Sequence, residues 1–164
     1  MRYSKAVQTE IGILQLTADD EALLEVKFAE QRTQDAPNAL LLRAEAQLKE
    51  YFAKKRRSFD LPLRAEGTAF QQAVWRAIAE IPYGQTMSYG AVAEKIGKTA
   101  AAARAVGAAA GKNPLWIMIP CHRVIAANGA LTGYAGGLQC KEYLLHLETQ
   151  GVQERNVNVH KNKV

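Results

Sequence analysis

The chain has 164 residues and carries 21 Lys+Arg against 16 Asp+Glu, for a formal net charge of +5. That length suits one domain or two small ones, and so mild a basic excess allows a polyanionic partner without requiring one. No apolar run nears the ~20 residues of a membrane span, the opening Met1-Arg2-Tyr3-Ser4-Lys5 lacks the apolar stretch of a secretory leader, and the two cysteines have no cluster of further ligands for a zinc site.

The first third reads as strands followed by a helix. Ser4–Thr9 and Ile13–Thr17 flank Gly12, and Leu24–Phe28 follows the polar turn Asp19-Asp20. Alternation of Ile13, Gln15 and Thr17 with Leu14 and Leu16 predicts a half-buried antiparallel meander. Pro37-Asn38 opens a helix running to about Lys55, with Leu41, Leu48, Tyr51 and Phe52 near helical spacing. The basic run Lys54-Lys55-Arg56-Arg57 at its end reads as charge favourable to a helix C-terminus. Phe59–Gly67 is a connector broken by Pro62 and Gly67. Thr68 then caps a helix carrying Phe70, Val74, Trp75 and Ile78. Ser88 caps a second helix from Tyr89 to Ile96, ended by Gly97. An Ala-rich helix follows from Ala100 to Ala110, closed by Gly111. Two short helices joined by a tight turn suggest a helix-turn-helix, although any αα-corner looks similar.

Asn113-Pro114 leads into Leu115–Ile119, an apolar run short enough for a buried strand, which Pro120 ends by removing a backbone donor. Cys121 and His122 come next. A thiol of pKa about 8.5 is mostly protonated at neutral pH and needs a base to act as a nucleophile. Adjacent residues on a straight strand face opposite ways, so this pair can cooperate only across a bend or a bridging water. The bend is expected to expose the reactive atoms. The dipeptide alone reads better as an inert buried cysteine beside a core histidine, because free cysteine is commonly buried and unreactive.

The wider stretch Asn113-Pro114-Leu115-Trp116-Ile117-Met118-Ile119-Pro120-Cys121-His122-Arg123-Val124-Ile125 resembles the active-site signature of the O6-alkylguanine-DNA alkyltransferases. Phe70–Trp75, Ile81–Thr86, Ser88-Tyr89, Ala103–Gly107, Gly133–Gly137 and Lys141-Glu142 resemble further stretches of that family in the same order. The likeness runs from about Thr68 to Gly151; before that, only length and pattern fit. It implies an α+β fold. An RNase H-like N-terminal domain, residues 1–66, holds a small antiparallel sheet with a helix. A mainly helical, winged-helix-like domain with the helix-turn-helix spans 67–151, and a polar flexible tail covers 152–164.

The resemblance also implies the chemistry. Cys121 is the alkyl acceptor, His122 deprotonates it through a water, and Glu148 orients His122. By sequence alone Glu148 reads equally as an exposed helix-end residue, placed in the last turn before Gly151. Asn113 would hold the active-site turn, and Tyr89 would give a proton or hydrogen bond to the departing guanine. Tyr134, Ala135 and Val124 would line the pocket for the flipped base; some relatives have Ser where Ala135 stands. Arg104 would enter the base stack from an alanine-faced helix suited to the minor groove, with Gly90 and Ala105 also on the DNA side. Phosphate contacts make binding weakly sequence-specific. No cofactor and no metal are implied, and a stable thioether on Cys121 makes each molecule act once. The implied setting is a monomer in the cytoplasm, or the nucleus of a eukaryote, with no membrane. A non-catalytic lesion binder, a cysteine hydrolase and a helix-turn-helix regulator are the competing readings. The first is opposed by Cys121 itself, and the last leaves the Cys–His segment unexplained.

Overall fold

The structure, a computed structural model, describes residues 1–32, 34–131 and 137–161, the last seven of these by backbone alone. Tyr134 and Ala135, expected in the base pocket, lie outside the described residues. Strands β1 (Tyr3–Thr9), β2 (Gly12–Ala18) and β3 (Leu23–Phe28) form the antiparallel meander, in the order β1-β2-β3. Gly12 takes φ 113°, which a side-chain-bearing residue rarely adopts, and so closes the β1–β2 hairpin. Leu14 and Leu16 point from β2 into the core, where Val7, Leu23 and Val26 join them.

Helix α1 (Ala39–Phe52) starts at Asn38, whose side chain accepts from the Leu41 amide. Its buried stripe, Leu41, Ala44, Leu48, Tyr51 and Phe52, recurs at helical spacing and packs on the sheet. Lys54, at φ 62°, breaks the helix earlier than the composition suggests. The basic run behind it reaches across the molecule: Lys54 pairs with Glu154 at 2.7 Å, and Arg57 donates to the Gly151 carbonyl.

Helix α2 (Ala69–Ala79) carries a full capping box, Thr68 with Gln71. The two-residue β4 (Met87–Ser88) leads into α3 (Tyr89–Lys95), capped by the Ser88 hydroxyl. A 3-10 turn, Ala100–Ala102, precedes α4 (Ala103–Gly111), and α3 with α4 forms the helix-turn-helix. Trp75 Nε1 donates to the Ala109 carbonyl and ties α2 to α4. A short β5 (Val124–Ile125) pairs in parallel with β4.

Two expectations need correction here. Leu115–Ile119 is a turn rather than a strand: it meets β3 at one bridge, Val26 with Leu115, and then folds back, with Ile117 at φ 72°. The long α5 (Leu138–Lys161) does not stop at Gly151. The tail expected to be flexible from residue 152 is therefore helical as far as Lys161, and Glu148 sits well inside the helix. Gly151 serves packing instead of termination, because a Cβ there would collide with the Tyr83 hydroxyl. Val152 fills the space above Gly84, and the Lys54–Glu154 pair holds the next turn. Among the described residues no helix is long and apolar enough to cross a membrane.

Candidate active site

The turn that presents Cys121 is organised by one amide. Asn113 Oδ1 accepts from the Leu115 backbone at 2.9 Å, and its Nδ2 donates to the Ile119 carbonyl at 2.8 Å and to Cys121 Sγ at 3.2 Å. The Ile119 amide closes the loop on the Leu115 carbonyl at 2.9 Å. Pro120, at φ −81° and ψ 63°, forms a tight turn in which the Cys121 amide donates to the Ile119 carbonyl. Residues Cys121–Arg123 then make one 3-10 turn, the bend that the Cys–His spacing demanded. Upstream, the Val26 amide donates to the Pro114 carbonyl and the Trp116 amide to the Val26 carbonyl, which strings the approach to the thiol along the edge of β3.

The bend does not expose the thiol, contrary to expectation. Cys121 is 5% exposed, and burial pushes its pKa up to about 12, against the opposing pull of the Asn113 hydrogen bond and the nearby Lys141 charge. The physical reason is desolvation of an anion among apolar neighbours, which the Asn113 amide and the Lys141 charge do not outweigh. His122 is wholly buried. Burial lowers its pKa, and its contact with Glu148 opposes that shift.

Glu148, 1% exposed, is the electrostatic centre of the cluster. His122 Nε2 donates to its Oε2 at 2.7 Å; an ionised carboxylate only accepts, so this ring nitrogen carries the proton. Arg123 Nε and Nη2 clamp Oε1 and Oε2 at 2.8 and 2.9 Å, the Gly84 amide donates to Oε1 at 3.3 Å, and the Tyr51 hydroxyl donates to Oε2 at 2.6 Å. Burial alone would raise the pKa of this acid, but the His122 and Arg123 contacts outweigh it and hold the carboxyl at about 2. The neutral His122 ring then offers Nδ1 as an acceptor, an atom that takes no hydrogen bond among the described residues.

A second group adjoins this one. Lys141 is buried; its Nζ donates to the Val124 carbonyl at 2.5 Å and lies 3.4 Å from the Tyr89 hydroxyl. Desolvation lowers its pKa to about 8, opposed by Cys121. The Tyr89 ring rests on Gly107 of α4, and Val124 is held beside it by the β4–β5 pairing. Arg104 and Ala105 are exposed near the start of α4, while Gly90 lies against Ala100 where α3 and the 3-10 turn meet. Thus Cys121, His122, Asn113 and Glu148 gather in one buried cluster, with Tyr89 and Val124 linked to it through Lys141. Sequence reasoning missed Tyr51, Arg123 and Lys141 as members. Tyr51 was read as core, but a buried tyrosine hydroxyl wants a partner, and that was the available signal.

Fold and site together define a two-part protein: a helix-turn-helix unit with a buried thiol next in the chain to an imidazole that is bonded to a carboxylate, backed by a small sheet. Residues 1–65 match the ribonuclease-like domain of 6-O-methylguanine DNA methyltransferase, and residues 69–150 match its DNA binding domain. The methylated-DNA–protein-cysteine methyltransferase of Methanosarcina acetivorans is 46% identical over 153 residues, 89% of this chain and 97% of that one. The O6-methylguanine methyltransferase of Mycobacterium tuberculosis superposes with a TM-score of 0.83 at 43% identity, covering 92% of this chain and 94% of that one. Mycobacterium tuberculosis OGT, solved in complex with DNA, superposes with a TM-score of 0.84 at 43% identity, over 90% and 93% of the two chains. The chain belongs to the 6-O-methylguanine DNA methyltransferase family.

Proposed function

We propose that this methyltransferase repairs DNA by moving the alkyl group of O6-alkylguanine onto Cys121 Sγ, and that the Glu148–His122 pair beside the thiol drives the step. The observation that carries the reading is the 2.7 Å bond from His122 Nε2 to Glu148, which orients Nδ1 of the next residue's ring as the local acceptor for the Cys121 proton. With the thiol held protonated by burial, deprotonation and attack are coupled: the proton passes through a water to His122 as sulfur approaches the alkyl carbon. The S–C bond forms, the C–O6 bond breaks, and the electron pair stays on guanine. Glu148 balances the imidazolium that results.

The departing purine needs a proton or a hydrogen bond, and Tyr89 supplies it. Its oxygen faces the Lys141 ammonium, which makes the phenol a better donor. Asn113 keeps Sγ aimed, and Val124 lines the base pocket with Tyr134 and Ala135. The duplex binds through the helix-turn-helix at its minor groove, with Arg104 filling the gap of the flipped nucleotide and Gly90 and Ala105 permitting close approach. The small exposed residues of α4 and the DNA complex of the Mycobacterium tuberculosis relative support this placement. The chain divides near residues 66–67 and acts as a monomer. The free thiols Cys121 and Cys140 fit a reducing cytoplasm.

The test is intact and peptide mass spectrometry after incubation with an oligonucleotide containing O6-methylguanine. One methyl per chain on the Cys121 peptide, absent in Cys121→Ser, is expected. Repeated turnover, or a methyl on another residue, overturns the reading.

A further inference from the structure

The Glu148 carboxylate receives more donors than its relay with His122 requires. An ionised carboxylate offers roughly four lone-pair sites, and here five hydrogen bonds converge on it from Tyr51, Gly84, His122 and Arg123. The Tyr51 hydroxyl falls on Oε2, the same oxygen that takes the His122 proton, and it is the shorter of the two at 2.6 against 2.7 Å. Tyr51 comes from α1, 97 positions away in the chain. Its side chain is fully buried, and its ring is fixed by edge contacts to Phe52 and Tyr83 and a tilted contact to Phe59. If packing alone were needed there, phenylalanine would fill the space without the desolvation of a hydroxyl.

We propose that Tyr51 is a positioning residue of the transfer reaction: its hydroxyl, delivered from the N-terminal sheet-and-helix unit, fixes Glu148 Oε2 and limits how much of the carboxylate charge reaches His122. The proposal rests on the reading of Glu148 as the support of His122. Three donors, Tyr51, His122 and Arg123 Nη2, share the negative charge of this one oxygen, so a stronger bond to the phenol weakens the pull on the imidazole proton. The phenol stays a donor throughout the working range, because burial and then the Glu148 charge raise its pKa well above the usual value. The other charged or titratable groups around the pair are Arg123 on Glu148, Lys141 from α5 acting on His122, and Tyr83 facing Glu148 with Arg57 and Arg123 over its ring. Removing one phenol oxygen leaves each of these groups in place, with Arg123 Nη2 and His122 remaining on Oε2.

The experiment is the single-turnover methyl-transfer rate of the full chain against pH, paired with a nitrogen-15 NMR titration of His122. Tyr51→Phe releases Oε2 to His122, so the acid limb of the rate and the His122 titration both move to higher pH, by about half a unit or more. Replacing Tyr51 with a ring-fluorinated tyrosine, which keeps the ring in place and strengthens the phenol as a donor, moves both to lower pH. In Glu148→Gln the same two changes at position 51 leave the limb where it is. A Tyr51→Phe variant that slows transfer without moving either titration shows a merely structural role and overturns the proposal, while the relay stands if Glu148→Gln still shifts the limb. If Glu148→Gln shifts nothing, the relay itself is wrong. Should Tyr51→Phe fail to fold, the fluorinated variant decides alone: no shift overturns the proposal.

Discussion

At Glu148 one buried carboxylate meets donors from α1, from the Tyr83–Gly84 turn and from the Cys121–Arg123 turn, and its folded pKa of about 2 measures how well they suit the anion. A carboxyl depressed in the folded state stabilises the protein fully above its ordinary pKa of 4.5, and that contribution is lost as the pH falls toward 2. The contribution is on the order of 3 kcal/mol. Glu148→Gln is therefore expected to destabilise the chain most at neutral pH, with the gap to the parent narrowing between pH 4.5 and 2. Denaturant melts at several pH values check this, and a gap that stays constant across that window contradicts it. None of this was legible in the sequence. Glu148 could be named by family likeness, but its partners lie 25 to 97 positions away, and an Arg next to a His carries no local sign that it will turn inward onto a helix.

Elements were read better than partners. The three strands, the helix opened at Pro37-Asn38, Thr68 and Ser88 as helix caps, and the paired short helices all rest on local rules of periodicity and hydrogen bonding, and the structure follows them. Leu115–Ile119 failed because an apolar run marks burial without marking extension; the Asn113 side chain spends its amide on folding that run into a turn. Gly151 failed because a helix glycine also serves where a neighbour comes too close for a Cβ, and the Tyr83 hydroxyl that does so is distant in sequence. On α4, Arg104 stands exposed among alanines. Arg104→Ala is expected to weaken duplex binding similarly for all sequences and to lower the salt slope of the affinity by about 1. Titrations at several salt concentrations would reveal this, and an unchanged slope would remove Arg104 from the interface.

Across the whole molecule, the two segments matched by separate family models share their interior. Val26 of β3 exchanges backbone bonds with Pro114 and Trp116, the Tyr51 ring packs edge-on to Tyr83, and Lys54 reaches Glu154. Because these contacts join the two units in one continuous core, neither unit loses them while the other stays intact. Unfolding is expected as a single cooperative transition, with calorimetric and van't Hoff enthalpies agreeing. Two resolved heat-absorption peaks would show that the units melt apart.

The small sheet has one more property that follows from its neighbours. Along β1, Ser4 exchanges two backbone bonds with Ala36; along β3, Leu23 is covered by Pro62 and Arg64, and Val26 by the Pro114–Trp116 segment. Irregular chain thus occupies both margins, leaving little of the meander as a template on which a stranger's strand could lengthen the ladder. Copies of the chain are therefore offered few open ladder positions on which to pair edge to edge.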